Sequence, residues 1–220
     1  MAARSSGCAS SPSLSPSTLN EIFVDGPAGR IETSVSDPGP GRRGIALIAH
    51  PHPLHGGTKD NKVVSTLARA FFALGYVALR PNFRGVGASA GSHDEGIGET
   101  EDIIALAGHA RREWGEAPLL LAGFSFGSFV QARAARRLAP QRLVLIAPPV
   151  SRFETGAVAH NTLVIHGEHD DVVPLSAVLD WARPQNLPVI VVPGGDHFFH
   201  GRLGLLQRII HNSCACLKAD

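Results

Sequence analysis

The sequence has few cysteines, almost no net charge and no long apolar run. Its three cysteines, Cys8, Cys214 and Cys216, are too few and too clustered for a disulfide framework, and they lack the second pair that a structural zinc site needs. A formal net charge of +1 gives no electrostatic argument for a nucleic acid or a membrane surface as a partner. No stretch approaches the length of a membrane span or of the apolar block of a signal peptide. These absences predict a cytoplasmic protein that acts on small neutral molecules.

The composition fits one globular domain. Of the 220 residues 44% are hydrophobic, which is enough for a single core of ordinary size. Residues 1–19 are rich in Ser, Ala and Pro, and we expect them to form a disordered tail. Arg4 and the serines of this tail leave an organelle-targeting role open, although one arginine is thin support. The single domain is predicted to cover residues 20–218.

Beyond residue 44 the chain alternates between short apolar runs and helix-compatible segments. Uninterrupted apolar runs are typical of strands that are buried on both faces, and parallel strands need helical crossovers. After an edge hairpin over residues 21–34, the predicted strands cover residues 45–49, 76–80, 119–122, 143–147, 163–166 and 189–192. The predicted helices cover residues 60–74, 100–114, 125–138, 175–181 and 203–217. The pattern predicts an α/β fold with a mostly parallel central sheet and helices on both faces.

The spacing Gly-x-Ser-x-Gly occurs twice, at residues 123–127 and at residues 87–91. The first copy follows an apolar run and leads into a predicted helix, so its serine, Ser125, lies at the apex of a tight strand-to-helix turn. Glycines on both sides let such a turn clear the neighbouring strand and helix and expose the serine hydroxyl. The second copy has no strand directly before it and no helix directly after it. We therefore interpret Ser125 as a candidate nucleophile and Ser89 as a loop residue.

An acid and a base follow the later strands. In an open α/β sheet, ligand chemistry gathers at the carboxyl ends of the strands. Gly167-Glu168-His169-Asp170-Asp171 follows the strand at 163–166, and Gly194-Gly195-Asp196-His197 follows the strand at 189–192. Serine is a poor nucleophile near neutral pH, so it needs an imidazole to take its proton and a carboxylate to orient that imidazole. The order Ser, Asp, His therefore predicts a complete nucleophilic set.

With these residues the chain resembles the α/β-hydrolase superfamily, and in particular its small, lidless bacterial-type esterases, including the dienelactone-hydrolase-like branch. The resemblance covers about residues 20–218 and implies Ser125 as nucleophile, Asp170 as acid and His197 as base. Asp171 is the rival acid and His200 the rival base, whereas we expect His166 and His169 to be structural. The resemblance rests on Gly123-Phe124-Ser125-Phe126-Gly127, His50-Pro51, Asn82-Phe83-Arg84-Gly85-Val86-Gly87, Gly167-Glu168-His169-Asp170 and Asp196-His197-Phe198-Phe199.

The same family uses two backbone N–H groups to stabilise the oxyanion of its tetrahedral intermediate. The resemblance implies Phe126, the residue after the nucleophile, as the first donor. The second donor comes from the loop after the first central strand, where Pro51 and Pro53 have no N–H. His52 is therefore the favoured second donor and Leu54 the fallback.

A metal site is the alternative interpretation of that loop. His50, His52 and His55 approximate the His-x-His-x-Asp-His pattern of metallo-β-lactamase-fold hydrolases, but position 54 is Leu where the pattern needs Asp. We expect a proline-stiffened oxyanion loop there instead. The chemistry is complete in side chains and backbone donors, so the sequence predicts neither a metal nor a cofactor.

The predicted substrate is a small carboxylic ester or thioester that a carboxylesterase-type serine hydrolase cleaves through an acyl-enzyme. Only about fifteen residues separate the strands at 143–147 and 163–166, too few for a helical cap, so we expect a shallow, open pocket. Peptidase and acyltransferase activities use the same groups, and a non-catalytic binding module shares the fold. The sequence leaves the oligomeric state open. Candidate pocket walls are Leu54, Phe124, Phe126, Phe198 and Phe199.

Overall fold

A computed structural model describes residues 19–217 as one eight-stranded sheet with helices on both faces. The predicted tail, residues 1–19, lies outside the described residues except for Leu19. This residue begins the first strand and pairs with Ser36 of the second strand. The strands are β1 (Leu19–Gly26), β2 (Gly29–Ser36), β3 (Gly44–Ala49), β4 (Tyr76–Pro81), β5 (Leu119–Phe124), β6 (Arg142–Ile146), β7 (Leu163–Gly167) and β8 (Val189–Val192). The prediction of an α/β fold is confirmed.

The strand order is β1-β2-β4-β3-β5-β6-β7-β8. Strand β2 of the β1–β2 hairpin pairs with β4 in antiparallel fashion. Strands β3 to β8 all run parallel to one another. Each predicted central strand lies within two residues of the observed bounds at either end. All carboxyl ends of the parallel strands therefore meet at one edge of the sheet, where the candidate residues lie.

The part of the chain that the structure describes has five α-helices beside the sheet: α1 (Lys62–Ala73), α2 (Ile97–Trp114), α3 (Phe126–Leu138), α4 (Leu175–Ala182) and α5 (Leu203–Ala215). Helix α2 begins three residues before its predicted start, because side chains satisfy the free N–H groups of its first turn. Glu99 accepts from the Gly96 amide at 2.9 Å, and Asp94 accepts from the Gly98 amide at 2.9 Å. Within residues 19–217, no helix is both long and apolar enough to cross a bilayer.

The sheet separates two hydrophobic layers because successive side chains of a strand point to opposite faces. Along β3, Ala46 and Ile48 pack with α1 and α5, whereas Ile45 and Leu47 pack with α2 and α3. Every residue of β3 is buried. Burial on both faces explains why the central strands are continuous apolar runs in the sequence.

The second Gly-x-Ser-x-Gly segment lies in the loop between β4 and α2, as predicted. The Ser89 hydroxyl donates to the Asn82 carbonyl oxygen at 2.8 Å and accepts from the Glu32 amide at 3.0 Å. Arg84, in the same loop, makes two hydrogen bonds of 2.8 Å to the carboxylate of Asp102 on α2. Ser89 is therefore buried as a structural brace, and Arg84 anchors the loop to α2.

Candidate active site

Ser125 lies at the sharp turn between β5 and α3. Its backbone adopts φ 51° and ψ −121°, a region that residues other than glycine seldom occupy. Its amide donates to the Ile146 carbonyl oxygen at 2.9 Å, which ties the turn to β6. The flanking Gly123 faces the first turn of α3 so closely that a β-carbon there would lie 2.5 Å from the Ser128 nitrogen. The local sequence therefore produces the predicted strand-turn-helix around Ser125.

Gly127 sets the distance between α3 and the end of β3. A β-carbon at this position would lie 2.6 Å from the His50 carbonyl oxygen and nearer still to that of Ala49. We expect Gly127→Ala to lower the free energy of unfolding by about 1–3 kcal/mol. Because it would also separate the Phe126 amide from the loop after β3, kcat should fall about tenfold or more.

Urea unfolding and the kinetics of the predicted ester hydrolysis would test the Gly127 prediction. Gly204→Ala on α5 is the matched control, since a β-carbon there meets no atom within 4 Å. The control should retain its activity and unfold at the same or a higher urea concentration. Equal behaviour of the two variants would contradict the role that we assign to Gly127.

The structure brings Ser125, His197 and Asp170 into one hydrogen-bonded array. The Nε2 atom of His197 lies 3.1 Å from the Ser125 Oγ, and its Nδ1 lies 2.7 Å from the Asp170 Oδ2. The second carboxylate oxygen, Oδ1, accepts from the amides of Val172 at 2.9 Å and Val173 at 2.7 Å. All three members of the array are buried. These contacts fix the imidazole between the hydroxyl and the carboxylate.

The Asp170 carboxyl is held in its ionised form. Burial would raise its pKa, but hydrogen bonds from the His197 ring and the Val173 amide bring the pKa below its usual value. An ionised carboxylate accepts the Nδ1 proton of His197, which leaves Nε2 free to accept a proton from Ser125. The hydrogen bonds therefore leave His197 with its unprotonated nitrogen towards Ser125, as a general base requires.

The rival residues lie elsewhere. Asp171 is exposed, and His200 is exposed with its Nδ1 2.6 Å from the Asp196 carboxylate. His169 is exposed as well, whereas His166 is buried with its Nε2 2.9 Å from the Val173 carbonyl oxygen. Burial lowers the pKa of His166, so this ring is neutral and supports the Asp170 loop. Of the acids and bases considered, only His197 contacts the Ser125 hydroxyl, and only Asp170 forms a hydrogen bond with His197.

Two backbone amides beside Ser125 are free to bind an oxyanion. Phe126 is the first residue of α3, and within residues 19–217 neither its N–H nor that of His52 has a hydrogen-bond acceptor. The Leu54 amide instead donates to the His52 Nδ1 at 3.3 Å. The N-terminus of α3 also favours negative charge. The geometry thus favours His52 over the fallback donor Leu54.

His50 fixes the peptide that carries the His52 amide. Its Nδ1 lies 2.6 Å from the Pro51 carbonyl oxygen, and its Nε2 accepts from the Phe83 amide at 2.9 Å. In a trans peptide the carbonyl and the following N–H point in opposite directions, so a pinned Pro51 carbonyl also orients the His52 amide. Both ring nitrogens of His50 are occupied, so this residue does not join His52 and His55 in a metal-binding set.

The buried imidazole of His50 makes stability depend on pH. Burial lowers its pKa from 6.5 to about 4, so between these pH values the unfolded chain binds a proton that the folded chain does not. Stability attributable to His50 is therefore complete above pH 6.5 and declines as the pH falls towards 4, by up to about 3 kcal/mol. Urea unfolding at pH 7, 6 and 5 should show a shallower decline for His50→Gln than for the exposed control His160→Gln. Parallel profiles would contradict the assignment.

A cavity of about 290 Å³ opens at Ser125. Its walls come from the loop after β3, the turn at Ser125 and the segments that follow β6, β7 and β8. Phe126 and Phe198 line it, as predicted, but Leu54, Phe124 and Phe199 do not. Leu54 is 69% exposed to solvent, whereas Phe124 and Phe199 are fully buried in the core.

Three residues after β6 and two after β7 also line the cavity, and they were not predicted as cavity walls from the sequence. The rule that ligands gather after the carboxyl ends of the strands applies to both segments, so their position was the available signal. The segment after β6 contains no motif, however, and the valines after β7 look like ordinary core residues. The residues concerned are Pro149, Arg152, Phe153, Val172 and Val173.

Comparison with known proteins places this site in a family. Residues 52–155 match the family model described as serine aminopeptidase, S33. The chain is 33% identical over 217 residues to the uncharacterized protein RP471 of Rickettsia prowazekii, covering 92% of this chain and 91% of the relative.

Two solved structures match over nearly their whole length. XC6422 from Xanthomonas campestris, a member of the α/β serine hydrolases without a lid, is 38% identical, with a TM-score of 0.85 over 92% of this chain and 96% of that one. An α/β serine hydrolase homologue from Coxiella burnetii is also 38% identical, with a TM-score of 0.83 over 88% and 96% of the two chains. The chain therefore belongs to the α/β serine hydrolases that lack a lid.

Proposed function

We propose that this serine hydrolase cleaves small carboxylic esters or thioesters through an acyl-enzyme on Ser125. The observation that carries the proposal is the continuous hydrogen-bonded array from the Asp170 carboxylate through His197 to the Ser125 hydroxyl, at the floor of an open cavity. A non-catalytic relative would have no need for a buried, ionised carboxylate oriented on an imidazole. The array therefore favours an enzyme over a binding module.

The proposed reaction has two halves. In the first, His197 Nε2 takes the Ser125 proton as Oγ attacks the carbonyl carbon, and the amides of Phe126 and His52 stabilise the resulting oxyanion. The imidazolium then returns this proton to the departing alcohol or thiol, which leaves an acyl ester on Ser125. In the second half, water attacks that ester while His197 again serves first as base and then as acid.

The cavity supports a small ester over a peptide with a free amino terminus. Its volume of about 290 Å³ is at the lower end for ligand sites. The matched family model is described as an aminopeptidase, an activity that calls for a carboxylate to hold the substrate's ammonium group. The described residues that line the cavity include no Asp or Glu. This absence argues against aminopeptidase activity.

A fluorophosphonate probe tests the proposal directly. An activated serine displaces fluoride from the probe and forms a stable phosphonyl ester, whereas an ordinary serine does not react. Peptide mapping by mass spectrometry should place the adduct on Ser125. The buried Ser89, in the other Gly-x-Ser-x-Gly segment, provides an internal control and should remain unmodified. Absence of an adduct, or an adduct on Ser89, would overturn the proposal.

A further inference from the structure

An unpaired arginine faces the cavity. Arg152 follows β6 and is an exposed residue that lines the cavity, and its guanidinium forms no hydrogen bond or ion pair with any residue between 19 and 217. The backbone beneath it is held in place, because the amides of Arg152 and Phe153 both donate to the Pro149 carbonyl oxygen, at 2.9 and 3.0 Å. The Phe153 ring also stacks on Phe129 with the ring centroids 4.8 Å apart. A fixed segment thus presents a free cation to the cavity.

Some exposed arginines away from the cavity pair with an acid. Arg42 pairs with Asp37, Arg183 pairs with Asp180, and each of these contacts is 2.7 Å long. Arg152 has carboxylates close to it in sequence or in the neighbouring loop, Glu154 and Asp171, but both are exposed and neither lines the cavity. Exposed Arg208 on α5 likewise has no acid partner among residues 19–217, so Arg152 is distinguished by its position at the cavity and not by the absence of a partner.

The described residues that line the cavity include a cation but no acid. Of the fifteen described residues that line it, one is an arginine, three are histidines and none is acidic. The nearest buried carboxylate, Asp170, is already engaged by His197 and two backbone amides. The N-terminus of α3 adds its partial positive charge at Phe126. A substrate with an anionic group would therefore meet the Arg152 guanidinium and no carboxylate among the described lining residues.

We propose that the preferred substrates are esters or thioesters whose acyl or alcohol part carries a carboxylate, which Arg152 binds. A guanidinium matches a carboxylate in shape and forms two parallel hydrogen bonds with it. This inference rests on the proposed function and adds the substrate class. It also replaces the expectation of neutral substrates, because a net charge of +1 for the whole chain says nothing about the charge of one cavity.

Matched ester pairs test this preference. The first pair compares mono-4-nitrophenyl adipate with 4-nitrophenyl hexanoate, and the second compares 4-acetoxybenzoate with its methyl ester. In at least one pair the wild type should show a kcat/KM about tenfold higher for the carboxylate, as expected for a hydrogen-bonded charge pair. This ratio should fall to about two or less in Arg152→Gln and at high salt. It should persist in Arg208→Gln, a control on an exposed arginine of α5 that lies outside the cavity lining.

A binding measurement separates this inference from the proposed function. Monomethyl adipate should raise the Tm of Ser125→Ala more than dimethyl adipate does, and the difference should disappear in the Ser125→Ala, Arg152→Gln double variant. If the wild type hydrolyses no ester at all, the proposed function is wrong. The Tm shifts of Ser125→Ala then decide by themselves whether the cavity prefers a carboxylate. Equal use of both esters in each pair, a ratio that survives Arg152→Gln, or equal Tm shifts would overturn the inference.

Discussion

Replacement of Ser125 by alanine is expected to lower kcat for 4-nitrophenyl acetate by about 10⁴-fold or more. The variant would lack the oxygen that lies 3.1 Å from His197 Nε2, so no acyl-enzyme could form. The cavity and the free amides of Phe126 and His52 would remain, and the residual rate would report what binding and oxyanion stabilisation contribute without the nucleophile. Steady-state kinetics with enzyme purified under identical conditions would measure the loss.

Ser176→Ala is the matched control for this experiment. Ser176 is exposed on α4, and its replacement should change kcat less than twofold. Both variants should show the far-ultraviolet circular dichroism of the wild type, since alanine retains the β-carbon and removes only the hydroxyl. If Ser125→Ala kept a tenth or more of the wild-type kcat, the covalent mechanism would be wrong.

Asp170→Asn should lower kcat by about 10³- to 10⁴-fold with a near-normal fold. The carboxylate accepts the Nδ1 proton of His197 at 2.7 Å and so leaves Nε2 unprotonated. An asparagine amide in its place would donate to Nδ1 and drive the proton to Nε2, where the ring could no longer act as a base. The imidazolium formed during acylation would also lose its adjacent negative charge.

The neighbouring acid provides the control. Asp171 has the same side chain one residue later but is exposed, and Asp171→Asn should stay within about twofold of the wild-type kcat. The comparison of these two variants shows whether Asp170, which the structure places beside His197, or Asp171, the rival acid from the sequence, supports the reaction. A larger loss in Asp171→Asn than in Asp170→Asn would contradict the assignment.

The fold could be predicted largely from local patterns. Central strands such as β3 and β5 are apolar throughout because both faces are covered, so their position follows from the sequence to within two residues. The start of α2 could not be placed, since it depends on the Asp94 carboxylate, which accepts from the Gly98 amide, and on the Glu99 carboxylate, which accepts from the Gly96 amide. Such contacts depend on the path of the loop between β4 and α2. The spacing of apolar residues along the sequence gives no information about that path.

The candidate site could be predicted only in part. Ser125, Asp170 and His197 follow strand ends and carry functional side-chain types, so position and chemistry single them out together. Their catalytic roles stay predictions. The cavity walls were harder to predict because side-chain direction decides them: Phe124 ends β5 facing the core, and Leu54 turns outward. Arg152 lies in a segment with no periodic pattern, and nothing in its neighbours shows that it lacks an acid partner.

The backbone at Ser125 has a consequence for how this protein would respond to selection. A serine at φ 51° and ψ −121° costs about 1–3 kcal/mol relative to a residue that accepts these angles freely. Glycine accepts them, so the position that the proposed chemistry most needs is also one where heat tolerance would gain from losing the side chain. A library screened for thermal resistance alone would therefore enrich glycine at position 125 and yield inactive proteins. Directed evolution of this enzyme has to select for turnover and stability in the same round.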